Sequence, residues 1–106
     1  MTTPNVEFHT QGEAVDIRLS GEIDLANAAA VQNEINAAID NHVNAVRVDL
    51  SDVTYLDSAG LRILFTLAGR LRTLQTTLEL VVPSGSPVRR AVELSGLEPF
   101  TRLRNA

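Results

Sequence analysis

The sequence predicts a single α/β domain spanning residues 1–106: a mixed β-sheet with helices packed on it. Three observations lead there. The apolar pattern switches repeatedly between a period of two and a period of three to four. Turn and cap residues fall where the period changes. And 106 residues, 44% of them apolar, suffice for one hydrophobic core but not two.

The elements follow in order. Val6 to His9 and Ala14 to Ser20 alternate apolar and polar, as half-buried strands do. Gln11-Gly12-Glu13 between them reads as a hairpin turn, and Gly21-Glu22-Ile23-Asp24 closes the second strand. Leu25, Ala28, Val31, Ile35, Ala38 and Ile39 then form a helical stripe, with Asp24 or Asn27 to cap it and Asn41-His42 to end it. Ala45 to Leu50 is strand again. Ser51 to Asp57 reads as a connection in which Val53, Tyr55 and Leu56 point inward. Leu61, Leu64, Phe65, Ala68 and Leu71 restore the helical period, leaving Arg62, Thr66, Arg70 and Thr73 on the opposite face. Thr77 to Val82 is an apolar run suited to a buried strand. Ser86-Pro87 opens a third helix, whose apolar side is Val88, Ala91 and Val92, and Gly96 sits where a left-handed cap belongs.

The order β-β-α-β-α-β-α implies right-handed crossovers and parallel pairing among the second, third and fourth strands. In such sheets the functional crevice lies beyond the carboxyl ends of the strands. Two connections leave such ends here, the turn at Asp24 and the turn at Asp57-Ser58-Ala59-Gly60, and they are expected to be neighbours.

Composition narrows the chemistry. The net charge is −4; residues 1–60 carry ten acids against two arginines, residues 61–106 seven arginines against three glutamates. With an acidic balance, three Phe, one Tyr and no Trp, nucleic-acid binding is not expected. The absence of Cys excludes disulfides and thiolate chemistry, and there is no Lys for a Schiff base or phosphate clamp. His9, on a predicted strand, and His42, at a helix end, are not placed to serve a nucleophile. Asp24 and Asp57 could form an acid–base or Mg²⁺ pair but lack a further ligand, so neither enzyme, cofactor nor metal site is expected. Nor does the start read as a signal peptide or any stretch as a membrane span, which makes a soluble cytoplasmic protein, monomeric when free, the expectation.

What remains is Leu56-Asp57-Ser58-Ala59-Gly60-Leu61, a serine in the first turn of the second helix. Asp57 or Ser58 serves as its N-cap. A hydroxyl there is also where an added phosphate would meet free N–H groups and the positive end of the helix dipole. Together with Gly21-Glu22-Ile23-Asp24, Asp49-Leu50, Asp52-Val53 and the late Leu94-Ser95-Gly96-Leu97, this run resembles the STAS domain of sulphate transporters and anti-sigma factor antagonists, the stand-alone antagonists above all. The resemblance covers nearly the whole chain. It implies a partner switch: the unphosphorylated protein binds an anti-sigma factor that is also a serine kinase, phosphorylation at Ser58 releases it, and a serine phosphatase resets it. It further implies a partner-binding surface around Asp24, Asp57, Ser58 and Gly60, to which Ala59 and Arg62 belong by position, Arg62 lying four residues beyond Ser58 and within reach of a phosphate there. The alternative within the same fold is a non-switching subunit of a membrane lipid-transport or stress-signalling complex.

Three departures stand out. Family members often carry Ser or Thr where this chain has Ala59, and many have Gly where it has Arg62. A last helix usual in the family is short or missing.

Overall fold

A computed structural model of the chain describes residues 4–105. The first two strands, β1 (Asn5–Gln11) and β2 (Ala14–Ile23), form an antiparallel hairpin. Its loop is Gly12-Glu13, with Gly12 at φ +63°. A positive φ at the first loop position alone gives a type II′ turn, whose twist matches that of the strands it joins. There follow α1 (Ala28–Ala38), β3 (Ala45–Leu56), α2 (Ser58–Thr73), β4 (Leu78–Val81) and α3 (Pro87–Leu94), the order read from the sequence. Beyond it lie a 3₁₀ turn (Glu98–Phe100) and β5 (Thr101–Arg104), a fifth strand the sequence reading did not assign. Among the described residues no helix follows β5.

The sheet runs β1-β2-β3-β4-β5, with β2 to β5 all parallel. Each crossover steps one strand in the same direction. Because crossovers are right-handed, all three helices land on one face. Val15, Val46 and Leu78 share one rung of that face, Ile17, Val48 and Leu80 the next. They are buried against Val31 and Ile35 of α1, Ile63, Leu64, Leu67 and Leu71 of α2, and Val88 and Val92 of α3. The core is entirely aliphatic; Phe8, Tyr55, Phe65 and Phe100, all the aromatics of the chain, are exposed.

The other face carries no helix and is charged. Arg47 lies between Asp16 and Glu79 (3.9 and 2.9 Å), Arg18 faces Asp49 (3.9 Å) and Arg104 faces Glu79 (3.6 Å). Parallel sheets are usually covered on both faces and apolar throughout. Here alternate residues of every parallel strand instead hold a lattice of opposite charges, which keeps the open face wet. Glu79 and Val81, in the run read as a buried strand, point to this side and are only half-buried.

Several expectations need correction. β3 does not stop at Leu50; it continues to Leu56 beside β2, past register shifts between Arg18 and Ser20 and between Gly21 and Glu22. Val53 is buried and Leu56 half-buried as expected, but Tyr55 is exposed: the register shift between Gly21 and Glu22, opposite Val53 and Tyr55, breaks the alternation that would set Tyr55 on the side of Val53. Leu25, counted in the apolar stripe of the first helix, precedes α1 and is 82% exposed. Phe65, 38% exposed, lies off the buried stripe of α2, to which Ile63 and Leu67 belong instead. Ser86 does cap α3, accepting from Arg89 N–H at 3.1 Å, and Gly96 adopts φ +86°.

Candidate functional site

The site forms where the carboxyl ends of β2 and β3 meet the amino end of α2. Asp57 is the N-cap of α2: its Oδ1 accepts the N–H groups of Ala59 (2.9 Å) and Gly60 (3.2 Å). Its Oδ2 accepts the N–H of Leu25 at 3.2 Å, and its own N–H donates to the Ile23 carbonyl at 3.3 Å. One carboxylate thus ties the two predicted turns together. They are neighbours, as the parallel topology required.

The Asp24 turn is braced from within. Asp24 Oδ1 accepts from Ala26 and Asn27 N–H (3.0 and 3.3 Å), and its carbonyl accepts from Ala28 N–H at 2.9 Å. The side chain of Asn27 makes no cap bond to α1. It clamps the turn instead, donating to the Glu22 carbonyl (2.9 Å) and accepting from Asp24 N–H (3.1 Å). Both carboxylates are therefore engaged by backbone N–H donors, Asp24 by those of its own turn and Asp57 by those of α2 and of the Asp24 turn. Among the described residues no group of three or more His, Asp or Glu side chains gathers as a metal would need.

Ser58 follows the cap as the first residue of α2 and is exposed; its hydroxyl makes no hydrogen bond among the described residues. Of the two caps the sequence offers, Asp57 is the one used; one expectation needs correction, because the N–H groups of Ala59 and Gly60 are held by Asp57 and are not free for a phosphate. A phosphate on Ser58 would project outward beside that carboxylate.

Gly60 is buried against the strand ends. A Cβ there would run into the side chain of Leu56 and come within 3.2 Å of Ile23 Cγ2, so the missing side chain lets α2 start close to β2 and β3. Ala59 is half-buried beside it. Arg62, one helical turn after Ser58, is exposed and forms no ion pair among the described residues. With Ser58, Leu61, Phe65 and Ser95 it lines a shallow, mainly apolar depression. Leu25, Asn27, Phe65 and Ser95 are the residues at the site that sequence reasoning did not place there. For Asn27 the signal was present, a side chain with both donor and acceptor in a predicted turn. For the others it was not.

The comparisons with known proteins bear on this geometry. The STAS family described as "Mlab, STAS domain" matches residues 6–103. The chain belongs to the STAS-domain family. It is 37% identical over 87 residues to the anti-sigma-F factor antagonist RsfB of Mycobacterium tuberculosis, covering 82% of this chain and 70% of that one. Among solved structures it resembles an anti-sigma factor antagonist from Mycobacterium paratuberculosis, with a TM-score of 0.86 and 27% identity, covering 98% of this chain and 87% of that one. The antagonist SpoIIAA in its unphosphorylated form matches with a TM-score of 0.79 and 25% identity, covering 96% of this STAS domain and 88% of SpoIIAA. These relatives are regulatory binding proteins by name, and the fold read from the sequence is theirs.

Proposed function

We propose that this chain is an anti-sigma factor antagonist switched at Ser58. Unphosphorylated, it binds an anti-sigma factor with serine kinase activity and frees the sigma factor; phosphorylated at Ser58, it lets go, and a serine phosphatase restores it. The carrying observation is the exposed Ser58 hydroxyl, first in α2 and without a hydrogen-bond partner among the described residues, beside a cap already filled by Asp57. Such a serine is accessible to a kinase, and its modification leaves the internal bonds of the domain untouched. The phosphate adds a charge near −2 next to a carboxylate, on the surface that must be desolvated when a partner docks. Asp24, Ala59, Gly60 and Arg62 border that surface, with Leu25 and Phe65 supplying exposed apolar area.

The reading makes the chain a binding protein of the cytoplasm rather than an enzyme, with no cofactor and no direct nucleic-acid partner. A non-switching STAS subunit would share the fold, but the antagonist names of the relatives favour the switch. The deciding experiment uses Ser58→Ala protein as bait, identifies the anti-sigma factor it retains, then incubates wild type with that factor and ATP. Phosphate should map to Ser58. Misplaced charge at such a site costs about 2–5 kcal/mol, so affinity should fall roughly 30- to 4,000-fold. Modification of Ser51, Thr54 or Ser95 instead, or undiminished binding by the Ser58 phosphoprotein, would sink the proposal.

A further inference from the structure

The two edges of the sheet are protected unequally. β5 spans four residues and carries Arg102 and Arg104, a short and charged edge of the kind that resists pairing. β1 spans seven residues with no proline, a single formal charge at Glu7, and no bulge in its pairing with β2. Among the described residues nothing pairs with its outer side. Phe8, at the middle of the strand, is 56% exposed.

We propose that this edge is a homodimerisation surface, on which a second copy of the chain pairs antiparallel about Phe8. The backbone comes first. In a two-residue hairpin the residues flanking the loop, Gln11 and Ala14, are hydrogen-bonded to each other. Alternation along the ladder then turns the backbone groups of Gln11, His9, Glu7 and Asn5 toward β2, and those of Thr10, Phe8 and Val6 outward. Centred on Phe8, two copies exchange backbone hydrogen bonds between Phe8 and Phe8, and between Val6 and Thr10 on either side.

Side chains select this register over its neighbours. It sets Phe8 against Phe8, Val6 against the second copy's Thr10, and Glu7 against the second copy's His9; aromatic, β-branched and acid–imidazole pairs are favourable across strands. Shifting the centre to Glu7 opposes two carboxylates. Shifting it to His9 leaves Val6 facing the turn. The favoured register also extends the charge lattice of the open face, because Glu7 lies beside Arg18 and His9 beside Asp16 within each hairpin. Position 9 thereby sits between two carboxylates, one from each copy. A strand that complements itself about a dyad fits a second copy better than an unrelated strand. The buried area is that of one strand pair, below the roughly 1,000 Å² of stable interfaces, so the dimer is weak and replaces the expected monomer only at high concentration.

Sedimentation velocity from about 0.02 to 1 mM tests this, the upper range being where small interfaces associate. Wild type should shift from monomer toward dimer. His9→Glu, which sets acids against Asp16 and the second copy's Glu7, should weaken association at least tenfold, and His9→Lys should match or exceed wild type. Phe8→Pro removes an outward N–H that the hairpin does not use, and should stay monomeric with a wild-type circular dichroism spectrum. Because the chain has no cysteine, register can be read directly. Directly opposed residues have Cα atoms about 5.5 Å apart, within disulfide reach, so Phe8→Cys should cross-link at least tenfold faster than Glu7→Cys or His9→Cys. A wild type monomeric throughout, association of His9→Glu equal to wild type, or equal cross-linking of the three cysteine variants would overturn the proposal. Should Phe8→Pro fail to fold, the His9 and cysteine series decide it.

Discussion

Asp57 can be tested as the residue that builds the switch site, separately from any partner. Asp57→Ala removes the acceptor for Ala59 and Gly60 N–H and the tie to Leu25 N–H. A lost N-cap costs about 0.5–2 kcal/mol. The charge at the positive end of α2 is worth a further ~0.3–1 kcal/mol. The bond to Leu25 adds little, since that N–H is exposed and water can replace the carboxylate. The sum is about 1–3 kcal/mol, or a drop in Tm of roughly 4–8 °C for each kcal/mol in a domain of this size. Asp57→Asn keeps an equally good cap and should lose only the charge, about 0.3–1 kcal/mol. Ser58→Ala, which removes an exposed hydroxyl with no partner among the described residues, should stay within ~0.5 kcal/mol of wild type, as surface substitutions usually do. Urea titrations followed by circular dichroism measure all three, with an unchanged m-value showing that the same transition is compared. If Asp57→Ala costs no more than Ser58→Ala, or if Asp57→Asn costs as much as Asp57→Ala, the capping account is wrong.

Gly60→Ala should destabilise by about 1–3 kcal/mol through its clash with Leu56, and a variant that also carries Leu56→Ala should recover part of the loss; urea midpoints read both. Leu25→Asp should leave the melting temperature within a few degrees of wild type, because the side chain is 82% exposed, yet weaken the anti-sigma complex at least tenfold in calorimetric titration. Equal affinity would remove Leu25 from the docking surface. Arg47→Met, breaking the contacts to Asp16 and Glu79 on the open sheet face, should cost no more than ~1 kcal/mol, and less in 1 M salt. A larger, salt-independent loss would show that the lattice holds the sheet together rather than keeping it wet.

The hairpin, the three helices and the parallel strands could be read from the sequence because each has a sharp period and a punctuating residue, such as Gly12 or Ser86-Pro87. What escaped was decided by partners distant in the chain. The second helix is apolar at Leu61, Ile63, Leu64, Phe65, Leu67 and Ala68, so the three-to-four spacing fits more than one phase. Only the sheet beneath selects the one that buries Ile63 and Leu67 and leaves Phe65 outside. The second half of β3 reads as a connection because Ser51-Asp52-Val53-Thr54 is mostly polar, while its pairing depends on irregularities in β2. In β5, four residues with one large apolar side chain, Leu103, give no signal above that of a loop. At the site, Asp57 and Ser58 were legible as a cap motif. Their connection to Leu25, 32 residues away in sequence, was legible only as adjacency of two turns, not as the bond that makes it.

The spatial order of the strands is the order in which they are made. During synthesis, each new strand meets a neighbour already out of the ribosome, and no segment must wait for a later one to be inserted between two earlier ones. The sheet can therefore grow by accretion from the amino-terminal hairpin, each crossover helix roofing the strand just added. Of the sheet's two edges, β5 is laid down after the other four strands, and its two arginines keep that edge from continuing onto another chain.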